Sequence, residues 1–362
     1  MEIAKGRYII STLYRYIRRV AGSRALRCAL AAFALFFTSA TVITCTAGHQ
    51  AAPFPDGRQK LRNDFLRLKF GLFLHFNMGT FAGREWANGY EDPAIFKPDR
   101  LNCEQWAQAA RSAGMTYGVL TAKHTEGYCL WDSKYTTHDI TSFMNFKNGR
   151  GDIVKEYVAA FRKHGLKAGL YYCFPGDYSN PSRHGYAVPE GQPDLHGLPP
   201  EAVGDYVGFI KKQLSELLTN YGPIDVLWID QFRNKYTGGR WPEILAYVHK
   251  LQPECIVVAN NADDLAVSDV LSFEFPWKPD RLPPDGNTTP AEICDTIQRK
   301  TWFWRESQPG ELKSAEEVVR MLHFANERHA NYLLNVPPDR DGLISGAHLK
   351  HMHEIGQRLG VK

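Results

Sequence analysis

Beyond residue 60 the chain alternates short, mainly apolar runs with longer segments of helical periodicity, and this alternation constrains the fold most. The runs are Phe70–Phe76, Tyr117–His124, Lys167–Phe174, Ile224–Asp230, Cys255–Asn261, Leu271–Phe275, Thr301–Arg305 and Asn331–Val336. Between them Cys103–Ala113, Asp152–His164, Pro200–Asn220, Trp241–Leu251, Ala291–Lys300 and Ser314–Glu327 carry apolar residues at helical spacing. Strands that are apolar throughout have both faces covered, which predicts a parallel sheet clothed in helices. Eight such strands over roughly 270 residues predict an α/β fold, a (β/α)8-like (TIM-type) barrel, which takes about 250. An open doubly wound sheet is the runner-up, but no GxGxxG follows the first strand. Asn102 with Gln105 reads as a capping box opening the first of these helices, and Gly114 and Gly165 as helix stops. The Gly-, Pro- and Asp-rich stretch Pro175–Pro199 reads as a functional lid or an insert.

The first 45 residues are of another kind. Lys5, Arg7, Arg15, Arg18, Arg19, Arg24 and Arg27 precede the mainly apolar Cys28–Phe37 and the small residues Thr38-Ser39-Ala40. That order describes a secretory signal peptide. Val42-Ile43-Thr44-Cys45 also resembles a bacterial lipobox, which would make Cys45 a lipid anchor. A retained anchor over Leu26–Thr44 is the third reading, since a span needs about 20 residues. Each reading places the protein outside the cytoplasm, in the periplasm or anchored to the outer membrane of a bacterium. The expected organisation is a signal over 1–45, a linker over 46–60 and a catalytic barrel over 61–362, with no C-terminal β-sandwich. The seven cations less Glu2 outweigh the whole chain's formal +4, so the remainder is slightly acidic. The basicity is therefore a targeting feature, and no nucleic-acid partner is expected. Five cysteines lie beyond Cys45, without CxxC spacing, and read as mostly buried free thiols.

Barrel enzymes place their chemistry at the C-terminal ends of the strands. Those ends carry His75, His124, Tyr171, Tyr172, Asp230, Asn260, Asn261, Glu274, Trp304 and Asn335. Asp230 closes Val226-Leu227-Trp228-Ile229-Asp230, which delivers one carboxylate to the mouth; a helix cap or an Arg partner would also explain it. Glu274 ends Leu271-Ser272-Phe273-Glu274, where burial would raise its pKa and keep a proton in place; a structural salt bridge is the alternative. Two facing carboxylates are the equipment of glycoside cleavage. His75 and His124 have no third ligand at a recognisable spacing, so they read as hydrogen-bonded core residues or, near two carboxylates, as donors to sugar hydroxyls, and neither a metal nor another cofactor is expected. Glu85-Trp86 offers a carboxylate and an apolar face that suit a sugar, or an ordinary surface loop. The 8 Trp, 17 Tyr and 20 Phe fit either ring-stacking on pyranoses or a large core.

At these residues the chain resembles glycoside hydrolase family 29, the α-L-fucosidases. The similarity runs through Phe70-Gly71-Leu72-Phe73-Leu74-His75-Phe76, Arg84-Glu85-Trp86, Tyr117–His124, Leu130–Tyr135, Gly165–Tyr172, Val226–Asp230 and Asn331–Asp339. The resemblance implies a retaining exo-glycosidase acting by double displacement, without a metal. It implies Asp230 as nucleophile and His75, His124, Tyr171 and Trp228 around the fucose ring, with a fucosylated oligosaccharide or glycoconjugate as substrate. Glu274 is the implied acid/base, with Glu292 as the fallback. The stretch from His75 to Pro93 is most similar to the subgroup acting on α-1,3/1,4-linked fucose. Two departures bear on the sugar. Thr125 stands where the family carries a second His, and no Arg accompanies Asn260-Asn261-Ala262. A related sugar of L-galactose type, or a catalytically impaired glycan-binding protein, are the alternatives.

Overall fold

The computed structural model describes residues 56–174, 202, 204–299, 301–306 and 311–361. The expected signal (1–45) and the whole Pro175–Pro199 stretch lie outside the described residues. Eight parallel strands form one sheet: β1 Phe70–Leu74, β2 Tyr117–Lys123, β3 Lys167–Cys173, β4 Val226–Asp230, β5 Ile256–Ala259, β6 Leu271–Glu274, β7 Ala291–Thr296 and β8 Ala330–Asn335. Their spatial order is β5-β4-β3-β2-β1-β8-β7-β6, so β5 and β6 end the sheet as the two edges of a nearly closed barrel.

Eight described α-helices accompany them: α1 Asp56–Leu66, α2 Met78–Ala82, α3 Cys103–Ser112, α4 Ile153–Lys163, α5 Tyr206–Thr219, α6 Trp241–Leu251, α7 Ala315–Glu327 and α8 Gly346–Arg358. Asn102 caps its helix by accepting from the Gln105 amide at 3.0 Å, but the Gln105 side chain turns to the Ile344 backbone and leaves the expected capping box half formed, whereas Ser314 with Glu317 forms a full one. Period-two alternation divides the strand side chains between two cores. One face packs against the helices around residues such as Leu72, Leu120, Leu170 and Leu227. The other fills the barrel with Phe73, Tyr117, Tyr171, Trp228, Cys294 and Leu333. Phe65 of α1 joins this inner core and meets Tyr117 edge-on at 5.9 Å, so α1 closes the floor of the barrel. Residues 56–60, expected in the linker, belong to that helix.

Two elements differ from the sequence expectation. Ala291–Thr296, within the expected helix Ala291–Lys300, is strand β7. Its charges Glu292 and Asp295 fall on opposite faces and are both buried, which in the sequence mimics the polar stripe of a helix. Thr301–Arg305, expected as a strand, is irregular. The amides of Trp302 and Phe303 spend their hydrogen bonds on the Glu85 carboxylate (2.8 to 3.0 Å) rather than on a ladder.

The β5–β6 seam replaces a ladder with side chains. Asp269 returns its amide to the Val257 carbonyl (2.9 Å) and accepts from the Val257 amide (2.7 Å), while Ser268 Oγ accepts from Ala259 (3.0 Å). Arg58 forms an ion pair with Asp269, and buried Arg62 donates to its carbonyl at 2.6 Å. The five cysteines among the described residues are buried free thiols.

Candidate active site

A cavity of about 460 Å³ opens where the strands end, lined by Phe73, His75, Trp86, His124, Tyr171, Trp228, Asp230, Gln231, Phe232, Arg233, Asn260, Asn261, Glu274, Trp277, Lys278 and Trp302. Asp230 ends β4. Tyr171 donates its hydroxyl to Oδ2 at 2.9 Å, and the Gln231 amide and Asn260 Nδ2 donate to Oδ1 at 2.8 and 2.9 Å. Gln231 (φ 58°) and Asn261 (φ 57°) both take left-handed backbone beside the polar residues they follow, a cost that side chains elsewhere in the site hold in place.

Glu274 ends β6. The same Asn260 Nδ2 lies 3.2 Å from its Oε2, and Asn261 Nδ2 donates to that oxygen at 2.9 Å. One amide nitrogen in reach of both carboxylates brings their nearest oxygens to within about 6 Å of each other, so the two side chains face the same part of the cavity, as a glycosidase pair must. Burial, and next the charge of Asp230, raises the Glu274 pKa above the ordinary carboxylate value. The two carboxylates therefore differ in environment, one with three donors and the other desolvated beside a like charge.

Two imidazoles face the same cavity. Asn335 Nδ2 donates to Thr296 Oγ1 (3.1 Å) and the Trp302 carbonyl (2.7 Å), which fixes its amide so that Oδ1 accepts from His75 Nδ1 at 2.9 Å. That leaves His75 Nε2 as an acceptor, and burial followed by the neighbouring His124 lowers its pKa well below 6.5, so the ring is neutral. His124 Nδ1 lies 3.2 Å from both Glu126 Oε2 and Thr125 Oγ1. A β-bulge between Thr121 and Lys123 turns Lys123 outward to Tyr172 and Gln213 and lets His124 reach the cavity. Trp228 stacks on Tyr171 at 5.4 Å and 19°, and His75 stacks on Trp302 at 4.9 Å and 28°.

The structure thus brings together Asp230, Glu274, His75, His124, Tyr171, Trp228 and Trp86. It does not bring Glu85, whose carboxylate is spent on the Trp302–Phe303 backbone and so anchors the segment bearing Trp86. Tyr172 points to the helix side, its hydroxyl on Gln213 at 2.6 Å. Trp302, not Trp304, enters the cavity. Glu292 is sealed within the barrel below the pocket, holding Tyr117 and Trp228. Thr125 is occupied by His124 and does not line the cavity. Arg233, from the loop after β4, lines the cavity, and Arg281 donates to the Asn261 carbonyl at 3.1 Å, so arginines reach this region from segments other than Asn260–Ala262. Trp277, Trp302 and Arg233 escaped the sequence reading because they lie in loops, where periodicity carries no signal. Among the described residues no three His, Cys, Asp or Glu side chains gather in a metal-ligating group.

Comparison with known proteins agrees with this geometry. The chain is 32% identical to Alpha-L-fucosidase 1 of Arabidopsis thaliana over 79% of its own length and 57% of that protein, so it spans little more than half of the plant relative. It is 28% identical to the human plasma alpha-L-fucosidase, covering 82% of this chain and 67% of that one. The alpha-L-fucosidase isoenzyme 1 of Paenibacillus thiaminolyticus superposes with a TM-score of 0.68 at 29% identity, covering 84% of this chain and 76% of that chain. A family model described as Alpha-L-fucosidase matches residues 50–362, and the chain belongs to that family.

Proposed function

We propose that the protein is a retaining exo-α-L-fucosidase in which Asp230 is the nucleophile and Glu274 the acid/base. The observation that carries this reading is the single Asn260 amide shared by the two carboxylates at the barrel mouth. Glu274 gives its proton to the leaving glycosidic oxygen as Asp230 Oδ attacks the anomeric carbon from the opposite face, forming a glycosyl ester. Water then enters, Glu274 takes its proton, and the C–O bond to Asp230 breaks to release the sugar with its original anomeric configuration. His75 and His124 accept from sugar hydroxyls, Tyr171 holds Asp230, and Trp228 supplies an apolar floor.

The substrate class we favour is a glycan bearing α-1,3/1,4-linked terminal fucose, on the similarity of the stretch from His75 to Pro93. An L-galactose-like glycone is the second reading, motivated by Thr125, whose hydroxyl is turned to His124 rather than to the cavity. We also propose export, with Cys45 lipidated; palmitate labelling that persists in Cys45→Ser would refute the anchor. The activity is tested by incubating the wild type and Asp230→Asn with an aryl α-L-fucoside and with branched fucosylated oligosaccharides. The expected result is fucose release by the wild type, first as the α-anomer by NMR, and a loss of at least about 10³-fold in the variant. First release of the β-anomer would contradict retention.

A further inference from the structure

Glu292 is a buried titratable group that this mechanism leaves unused. It is fully buried in β7, between Ser272 of β6 and Asn331 of β8 in the sheet register, one layer below Asp230 and Glu274. Tyr117 of β2 donates to its Oε2 at 2.6 Å and Trp228 of β4 to its Oε1 at 2.9 Å. The titratable side chains around it are Tyr117 and Cys294, both held neutral by burial, with the carboxylates of the layer above. No cation pairs with it among the described residues. Buried carboxylates are ordinarily paired, and one without a cation is costly. Two aimed donors fit an anion, yet desolvation pushes the carboxyl up to about 7.

We propose that Glu292 is a positioning residue that acts through Trp228: its carboxylate fixes the indole in the pocket floor and makes that ring more electron-rich beneath the reacting sugar. The geometry supplies the route. Trp228 turns its N–H down to Glu292, presents its ring to the cavity, and stacks on Tyr171, whose hydroxyl holds Asp230. Glycoside cleavage develops positive charge at the sugar ring in an oxocarbenium-like transition state. An indole hydrogen-bonded to an anion is a better partner for that charge than an indole bonded to a neutral group. Glu292 touches no substrate, and its charge costs the folded state stability, as strained or buried polar groups at functional sites do.

This inference rests on the fucosidase reading, and its test separates the two. Glu292→Gln keeps the volume and can satisfy both neighbours, since Tyr117 can turn its hydroxyl to accept. The ratio of wild-type to variant kcat on an aryl fucoside is measured between about pH 5 and pH 9. It is expected to rise from near one to about 10-fold as the carboxyl ionises, with little change in KM, the size of a desolvated cation–π contact. Tyr117→Phe, which removes one donor, moves that rise to higher pH. Thermal melting gives an activity-independent arm. A carboxyl raised in the folded state binds more protons folded than unfolded, so wild-type stability falls as pH rises from about 4.5 to about 7. The Tm of Glu292→Gln is therefore expected to gain on the wild type across that window. A kcat ratio flat with pH in an active wild type overturns this inference alone. A wild type that releases no fucose overturns the functional reading with it.

Discussion

Asn260 is one residue past the end of β5, and its single amide lies between the two carboxyl groups of the site. Removing one partner of such a shared bond changes the state of both carboxylates. As the proposed acid/base, Glu274 would have to be protonated to donate, so activity is expected to fall as pH rises through its raised pKa. In Glu274→Gln that alkaline limb disappears. The variant is expected to lose about 10²–10⁴-fold on an oligosaccharide and far less on a substrate whose leaving group needs no proton, such as a fucosyl fluoride. Equal losses on both substrates, read from kcat/KM, would assign proton donation elsewhere. At this scale the sequence was most legible where a polar residue ended an apolar run, as Asp230, Glu274 and His75 do. Trp277 was not legible, because nothing local marks a loop residue as lining a pocket. It is 43% exposed, stands three residues after Glu274 and lies 6.2 Å from Trp86 across the mouth. Trp277→Ala is expected to raise KM for an oligosaccharide by about 10-fold, the loss of one good stacking contact, as judged by initial rates.

Among the elements, the β5–β6 seam is where the barrel depends on side chains rather than on a ladder. Asp269 carries it. Burial raises its pKa, but the hydrogen bond from His249 and the charge of Arg58 outweigh that, and the folded value lies below the ordinary one. A depressed carboxylate contributes stability above its unfolded pKa and loses it as pH falls through the folded one. Asp269→Asn leaves Arg58 and Arg62 without their carboxylate and is expected to cost about 3–5 kcal/mol at neutral pH, with the deficit shrinking on acidification below about pH 4. Chemical denaturation across pH reads both; a deficit that is constant with pH would contradict the ion-pair account. What sequence periodicity missed lies beyond that seam. Short strands whose buried faces include charge, such as β7, lack the apolar continuity that marks a strand, and the segment after β7 owes its path to Glu85, 217 residues away in sequence.

For the whole molecule, alternation of strand and helix was enough to indicate the barrel, because only a parallel sheet covered on both faces accommodates it. Placing the pocket required only the rule that barrel chemistry gathers at the C-terminal strand ends. What periodicity could not supply was distance, and distance separates a retaining pair of carboxylates from an inverting one. The central claim is that Asp230 forms a covalent glycosyl ester. Its most direct test is incubation with a 2-deoxy-2-fluoro-α-L-fucosyl fluoride, which slows the release step, followed by mass spectrometry of peptides. The account predicts one fluorofucosyl adduct, on the peptide carrying Val226-Leu227-Trp228-Ile229-Asp230, with loss of activity in step with labelling. An adduct on the Glu274 or Glu292 peptide, or turnover of the natural substrate without any adduct, would contradict it.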